Sequence, residues 1–155
     1  MAAVNFQKIL REAPQAKASQ ELLDREFAPL QKLLKQQQGN VQTLHEKHLG
    51  LGPGTNPLKR ASVEEQYKKA QEKLAETTRQ YQTRLKLRMT QLRANFKRLL
   101  GKEIGLYARQ HGITVVVNDG VAYAKSSLNI TDEILALLKE DYRQAKAASA
   151  GKAQP

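Results

Sequence analysis

Two histidines three residues apart are the first feature of this sequence that could do chemistry. His45 and His48 would lie on one face of a helix, a spacing at which two imidazoles can bind zinc. No third ligand is evident beside them, and short motifs of this kind often match by chance. The pattern therefore favours a surface pair over a metal site by roughly nine to one, and no metal or other cofactor is expected.

The remaining candidates for catalysis are equally weak. Asp132 and Glu133 form an acidic pair, but they fall in the first turn of a predicted helix, where carboxylates suit the positive end of the helix dipole. The chain has no cysteine, which excludes disulfides, thiolate metal sites and cysteine nucleophiles. We find no Gly-rich phosphate loop and no nucleophile beside a base, so the sequence does not predict an enzyme.

The charge of the chain points instead to a binding function. The net charge of +11 is concentrated in residues 58–111, which contain 14 basic and five acidic groups, whereas residues 112–155 are neutral. A field of this sign attracts nucleic acid, anionic lipid head groups or an acidic polypeptide. The residues that supply it are Lys68, Lys69, Lys73, Arg79, Arg84, Lys86, Arg88, Arg93, Lys97 and Arg98.

Two long helices must position these charges. From Gln15 to about His48, and again from Leu58 to about His111, apolar residues recur every three or four positions, the narrow stripe of a coiled coil. Pro14 fits the first position of the first helix, and Pro29 is expected to kink that helix near Arg25. Residues 50–57 contain three glycines and two prolines, which predicts a reversal of the chain at a tip between the helices.

Strand-like sequence occurs only near the two ends. Residues 2–6 alternate apolar and polar side chains, and residues 113–117 and 121–124 flank Asn118-Asp119-Gly120, which predicts an antiparallel hairpin with a tight turn. A helix is expected to follow, with Thr131 as its N-cap. Residues 145–155 are small and polar, which predicts a disordered tail.

These elements predict a mainly α protein with a small β head, an α+β class. The head comprises residues 1–12 and 112–143, a long antiparallel coiled-coil hairpin spans residues 13–111 with its tip at 50–57, and the tail covers residues 144–155. Three strands and one short helix are too little for an independent domain. We therefore expect the head to be an oligomerisation body.

At this point the chain resembles the Skp/OmpH family of periplasmic chaperones over essentially its whole length. The matching stretches are Val4-Asn5-Phe6-Gln7-Lys8-Ile9-Leu10, Pro14-x-x-Lys17-Ala18, Glu26-Phe27-x-Pro29, Val115-Val116-Val117, Val121-Ala122-Tyr123 and Asn129-Ile130-Thr131-Asp132-Glu133. The tip, residues 50–57, is richer in Gly and Pro than the charged tips of the family.

The resemblance implies a homotrimer of jellyfish-like architecture. Three heads would build one β-barrel-like body, and three helical hairpins would surround a cavity that holds unfolded outer-membrane β-barrel proteins without ATP. The trimerisation residues would be Val4, Phe6, Val115, Val116, Val117, Val121 and Tyr123. The resemblance also implies the periplasm. No basic segment followed by an apolar one precedes Ala2, which by itself predicts either a cytoplasmic protein or a chain whose signal peptide has been removed. The resemblance favours the second.

A basic cage with modest apolar patches agrees with this resemblance, since many weak contacts can hold an unfolded chain. The apolar contacts would come from Leu49, Leu51, Tyr67 and Leu87. For any single cation, the solvated face of a coiled coil is the simpler explanation at roughly 60%.

Two alternatives use the same basic face. A nucleic-acid-binding coiled coil would contact phosphate groups with residues 58–111. Few aromatic residues lie among these basic residues to stack on bases, which disfavours this alternative. Contact with anionic lipid or lipopolysaccharide is compatible with the chaperone interpretation.

Overall fold

We describe a computed structural model of the chain for residues 1–118, 121 and 123–152. Its elements in chain order are β1 (Ala2–Ala3), α1 (Phe6–Glu12), α2 (Pro14–Leu49), α3 (Pro57–Gln110), β2 (Val116–Val117), a 3-10 turn (Ser126–Leu128) and α4 (Thr131–Gly151). The predicted class, mainly α with a small β component, is confirmed. The chain divides into two compact units. We call Met1–Leu22 with Thr90–Pro155 the core unit and Leu23–Met89 the seam unit.

Local sequence signals set the ends of the two long helices. Pro14 and Pro57 each take the first helical position, where a missing N–H is tolerated. Asn56 precedes α3, and its Oδ1 accepts a hydrogen bond from the backbone N–H of Leu58 at 2.8 Å. Gly112 follows α3 with φ of +64°, a left-handed conformation that favours glycine after a helix. Both predicted helices are confirmed nearly to the residue.

The start of the chain differs from the prediction of one strand over residues 2–6. The strand covers only Ala2–Ala3, and Phe6 begins α1. Asn5 causes the change because its Oδ1 accepts the N–H of Lys8 at 2.9 Å and caps the helix.

The predicted antiparallel hairpin is also replaced. Val116–Val117 pairs with Ala2–Ala3 in parallel, with Ala2 N–H donating to the Val115 carbonyl at 2.8 Å and Val4 N–H donating to the Val117 carbonyl at 3.0 Å. Val121, Tyr123 and Ala124 lie outside any strand. Asp119, Gly120 and Ala122 of the predicted hairpin lie outside the described residues.

One apolar cluster holds the core unit together. Its buried members come from β1, α1, α3 and α4 and the segments between them: Ala2, Val4, Ile9, Ala13, Phe96, Leu100, Ile130, Ile134, Leu135 and Leu138. Ile9, Ile134 and Leu138 are fully buried. Burial of this kind is the main favourable term in folding, so the first strand, α1 and α4 are fixed against one stretch of α3.

Thr131 joins the beginning of the chain to the beginning of α4. It is the first residue of that helix rather than the predicted N-cap, and its hydroxyl accepts the Asn5 N–H at 2.8 Å. The same hydroxyl donates to Asn129 Oδ1 at 2.6 Å, and that oxygen also accepts the Thr131 N–H at 3.1 Å. Because Thr131 is almost fully buried, these hydrogen bonds give its hydroxyl both a donor and an acceptor inside the core unit.

Helix α4 continues to Gly151, through residues for which the sequence predicted a disordered tail. Residues 143–151 are exposed and therefore gain little from packing. Four alanines in this stretch have high helix propensity, which extends the helix without tertiary contacts.

Candidate functional site

The predicted basic residues all lie on α3, and nine of the ten are exposed, the exception being the half-buried Arg88. Three have carboxylate partners. Lys69 Nζ lies 2.6 Å from Glu65 Oε1, Arg79 pairs with Glu76, and Arg88 donates two hydrogen bonds, of 2.8 and 2.7 Å, to the carboxylate of Glu26. These pairs remove part of the field that the sequence predicts.

The remaining cations are of two kinds. Arg98 donates to the Asn95 side chain, and Lys86 also has an interaction. No carboxylate of the described residues lies within 4.0 Å of five others: Lys68, Lys73 and Arg84 in the seam unit, and Arg93 and Lys97 in the core unit. An unpaired, exposed cation keeps its full charge for an anionic partner, so these five are the strongest candidates for binding.

The pairs shift the protonation of their carboxylates in a consistent direction. The guanidinium of Arg88 lowers the pKa of Glu26 chiefly by hydrogen bonding, and Lys69 lowers the pKa of Glu65 in the same way. Hydrogen bonds to the charged form favour that form. These carboxylates therefore stay ionised and continue to neutralise their partners in mildly acidic solution.

The predicted apolar contacts differ in accessibility. Leu49 and Leu87 are exposed by 69% and 59%, and Leu51 is half-buried. Tyr67 is half-buried because its ring packs against two histidines, with ring centroids 5.5 Å from His45 and 6.1 Å from His48. Leu49 and Leu87 can thus meet a partner directly, whereas Tyr67 is already engaged.

The histidine pair serves packing in this structure. Both rings are half-buried rather than on the surface as predicted, and the Nδ1 atoms of His45 and His48 are buried without a hydrogen-bond partner among the described residues. Zinc-binding histidines usually donate their second ring nitrogen to an acceptor. Within the described residues no group of three metal-ligating side chains forms.

The residues predicted for trimerisation divide into buried and exposed sets. Val4 belongs to the core of the single chain, with 3% exposure, and Phe6, Val116 and Val117 are half-buried. Val115, Val121 and Tyr123 are exposed, Tyr123 by 85%. The exposed set, together with Leu128, which the sequence analysis missed, leaves apolar surface uncovered in the core unit.

A concave surface adjoins these exposed residues. It encloses about 600 Å³ and is lined by Ala3, Val4, Asn5, Gln7, Asn118, Val121, Tyr123, Ala124, Ser126 and Asn129. Among the described residues of this lining, the Tyr123 phenol is the only ionisable group, and none of the predicted basic residues belongs to it.

An acidic pair within the core unit was not predicted from the sequence. Glu103 of α3 is 5% exposed, and burial, followed by the charge and hydrogen bond of Asp141 on α4, raises its pKa. Glu103 follows Leu100 by three residues, and Asp141 follows Leu138 by three, so both continue apolar faces of their helices. That shared spacing is the sequence signal that could have found them.

Comparison with protein families relates the chain to a known family. A family model described as "Outer membrane protein (OmpH-like)" matches residues 1–138, which include both long helices and most of the core unit. No curated protein matches the chain in a sequence comparison. In the described residues, no helix is both long and apolar enough to cross a membrane.

Proposed function

Because the chain belongs to the OmpH-like outer membrane protein family, we propose that it is a periplasmic chaperone that holds unfolded outer-membrane proteins without ATP. The observation that carries the proposal is the set of unpaired cations on α3, Lys68, Lys73 and Arg84 in the seam unit among them. An unfolded outer-membrane strand alternates apolar and polar residues and is often acidic. Unpaired cations can attract such a chain over distances up to about 10 Å at 0.1 M ionic strength.

Short-range apolar contact complements this attraction. Leu49 and Leu87 are the most exposed of the predicted apolar contacts and can meet apolar side chains of a client. Each contact is weak on its own, but many weak contacts on one chain give useful affinity with fast local exchange. This mode of binding needs no enclosed pocket and no nucleotide.

The working form in this proposal is a homotrimer with a client cavity between its helical hairpins. The exposed Val115, Val121 and Tyr123 support self-association through the core unit, since exposed apolar patches commonly mark interfaces. Val4 would contribute through the core that supports this surface. Native mass spectrometry should find three chains, and a stable folded monomer at micromolar concentration would contradict the trimer.

A charge-reversal experiment tests the carrying observation. The variant Lys68→Glu, Lys73→Glu, Arg84→Glu removes three unpaired cations. The matched control Lys139→Glu, Lys146→Glu, Lys152→Glu makes the same change in net charge at exposed positions on or next to α4. A urea-unfolded outer-membrane β-barrel protein is diluted into each, and suppression of light scattering is followed at low and high salt.

We expect the α3 variant to capture the client about tenfold more slowly at low salt, with the difference disappearing at high salt. The control should resemble the unmodified protein. Equal capture by all three would mean that apolar contact, not the field, carries binding. If the protein ignores the client and instead binds DNA or anionic vesicles with steep salt dependence, the alternatives of nucleic-acid or lipid binding replace the proposal.

A further inference from the structure

One position in the apolar seam of the seam unit is occupied by an amide. Gln37 of α2 is only 9% exposed, and neither its Nε2 nor its Oε1 has a hydrogen-bond partner among the described residues. Burying an unpaired amide is unfavourable because the hydrogen bonds it made to water are lost. The two helices are therefore held together less well at this layer than at its apolar neighbours.

The facing helix offers little compensation. The contacts of Phe27 with Tyr81 and of His45 with Tyr67 set an antiparallel register that places Gln37 opposite residues 71–75 of α3, just before Thr77. Thr77 is 8% exposed, and its hydroxyl donates to the Lys73 carbonyl of its own helix at 2.9 Å. The polar layer thus consists of the Gln37 amide, which has no partner among the described residues, and the nearby Thr77 hydroxyl, which is already engaged.

The hairpin is firmly paired on the side of this layer away from the loop. We call residues 23–36 and 78–89 the closed half. Phe27 meets Tyr81 edge to face at 5.7 Å, Gln31 donates to the Tyr81 hydroxyl at 3.1 Å, and Glu26 accepts two hydrogen bonds from Arg88. Aromatic pairs and bidentate arginine–carboxylate contacts resist separation.

The tip half, residues 38–76, has weaker links between its helices. Leu44, which is 7% exposed, is its only buried apolar side chain, and Tyr67 packs on His45 and His48, whose Nδ1 atoms have no partner among the described residues. Gly39, next to the polar layer, lies in the helix interior, where glycine lowers helix stability relative to alanine. Local opening is expected where buried apolar contacts are few.

We propose that the tip half opens at the Gln37 layer and that the seam it uncovers binds an apolar segment of an unfolded polypeptide. This tip-side seam consists of Val41, Leu44, Val63 and Ala70, which are buried or half-buried in the closed hairpin. The unpaired cations Lys68 and Lys73 lie on the same stretch of α3 and favour a segment flanked by acidic residues. The binding step rests on the proposed function, whereas the opening does not.

The loop is long enough for this movement. Gly50–Asn56 separates the two helices by seven residues, which span about 23 Å when extended at roughly 3.3 Å per residue. Packed helices lie about 8–10 Å apart. The helix ends can therefore separate by about the width of one polypeptide strand while they remain joined.

Hydrogen exchange with a matched pair of variants tests the opening. Gln37→Leu fills the seam with an apolar side chain, and Gln38→Leu makes the same chemical change at an exposed neighbour. In the unmodified protein, amides of 38–49 and 57–76 should exchange faster than those of the closed half. Gln37→Leu should slow them about tenfold, equivalent to about 1.4 kcal/mol, and Gln38→Leu should not. Uniform exchange along the hairpin, or equal effects of the two variants, would overturn the opening.

The same variants test the binding surface with a urea-unfolded outer-membrane β-barrel protein as the probe. We expect Gln37→Leu to weaken retention of the probe about tenfold and Gln38→Leu to leave it unchanged. If Gln37→Leu slowed exchange but left retention of the probe unchanged, the tip-side seam would not be the binding surface. An unmodified protein that retains no probe would contradict the proposed function, while the exchange pattern would still decide the opening.

Discussion

The core unit and the seam unit contain similar amounts of helix but distribute their apolar residues differently. In the core unit, four elements contribute to one cluster, and Ile9, Leu100, Ile134 and Leu138 are almost completely removed from water. In the seam unit, only Leu23, Phe27 and Leu44 are buried among the apolar residues, and they are spread along two helices. Stability should therefore be concentrated in the core unit.

The polar groups follow the same division. The buried hydroxyl of Thr131 in the core unit has a donor and an acceptor from other segments, whereas the buried amide of Gln37 in the seam unit has no partner among the described residues. A satisfied buried polar network fixes one arrangement, and an unsatisfied one lowers the free energy of separation. We therefore expect the core unit to keep one arrangement and the seam unit to open more easily.

The largest expected difference between the units comes from truncating an apolar side chain. Ile134→Ala should lower the free energy of unfolding by about 2–5 kcal/mol, because it leaves a cavity in a fully buried cluster. Leu34→Ala in the half-buried seam should cost less than about 2 kcal/mol. Denaturant titration followed by circular dichroism measures both. Equal losses would show that the seam is packed as tightly as the core.

A smaller difference is expected from two buried threonines. Thr131→Val should cost about 1–3 kcal/mol, since it leaves the Asn5 N–H without its acceptor. Thr77→Val should be close to neutral, because the Thr77 hydroxyl bonds only to its own helix. Thr131→Ser is the control that keeps the hydroxyl. Denaturant titration followed by circular dichroism measures all three variants. Equal losses of stability in the two valine variants would contradict the difference between the units.

The smallest expected effects are opposite pH dependences in the two units. The raised pKa of Glu103 means that the folded state holds this proton more tightly, so stability falls as pH rises above the ordinary value of 4.5 toward the raised pKa. The lowered pKa of Glu26 has the opposite effect, a contribution that is present above pH 4.5 and lost as pH falls through the lowered pKa.

Two charge-neutralising variants separate these effects. Glu103→Gln should raise stability at pH 7 and change it little below pH 4, whereas Glu26→Gln should lower stability slightly at pH 7 and change it little at low pH. Thermal unfolding across pH 3–8 gives the slopes. For each variant, the difference in melting temperature from the unmodified protein is plotted against pH. If this difference changed in the same direction for both variants, the assignment of a buried acidic pair to one unit and a bridged carboxylate to the other would be contradicted.

Much of the helical structure follows from the sequence because its signals are local. Prolines and glycines mark the helix ends, and the apolar spacing of the seam positions Leu23, Phe27, Leu30, Leu34, Val41 and Leu44 agrees with their burial. The same spacing contains Gln37, so the polar layer was visible in the sequence as an interruption. The sequence did not show that the Gln37 amide lacks a hydrogen-bond partner, because this depends on which turn of α3 faces Gln37.

The candidate site was predicted only in part for a related reason. The sequence located the basic residues on one helix, but it could not distinguish the unpaired Lys68 and Lys73 from Arg88, whose partner Glu26 lies 62 positions away. It likewise assigned Tyr67 to an exposed surface, although two histidine rings cover it.

The sequence by itself determined the two long helices, the loop between them, the basic character of α3 and the family resemblance, since each depends on neighbouring residues or on composition. Only the tertiary structure decided that β2 pairs in parallel with β1 and that Thr131 bonds to Asn5, 126 positions away. A local turn signal favoured the hairpin, but the apolar residues of both chain ends are buried together only when the ends meet. That burial is a property of the whole unit, so no window of sequence contains it.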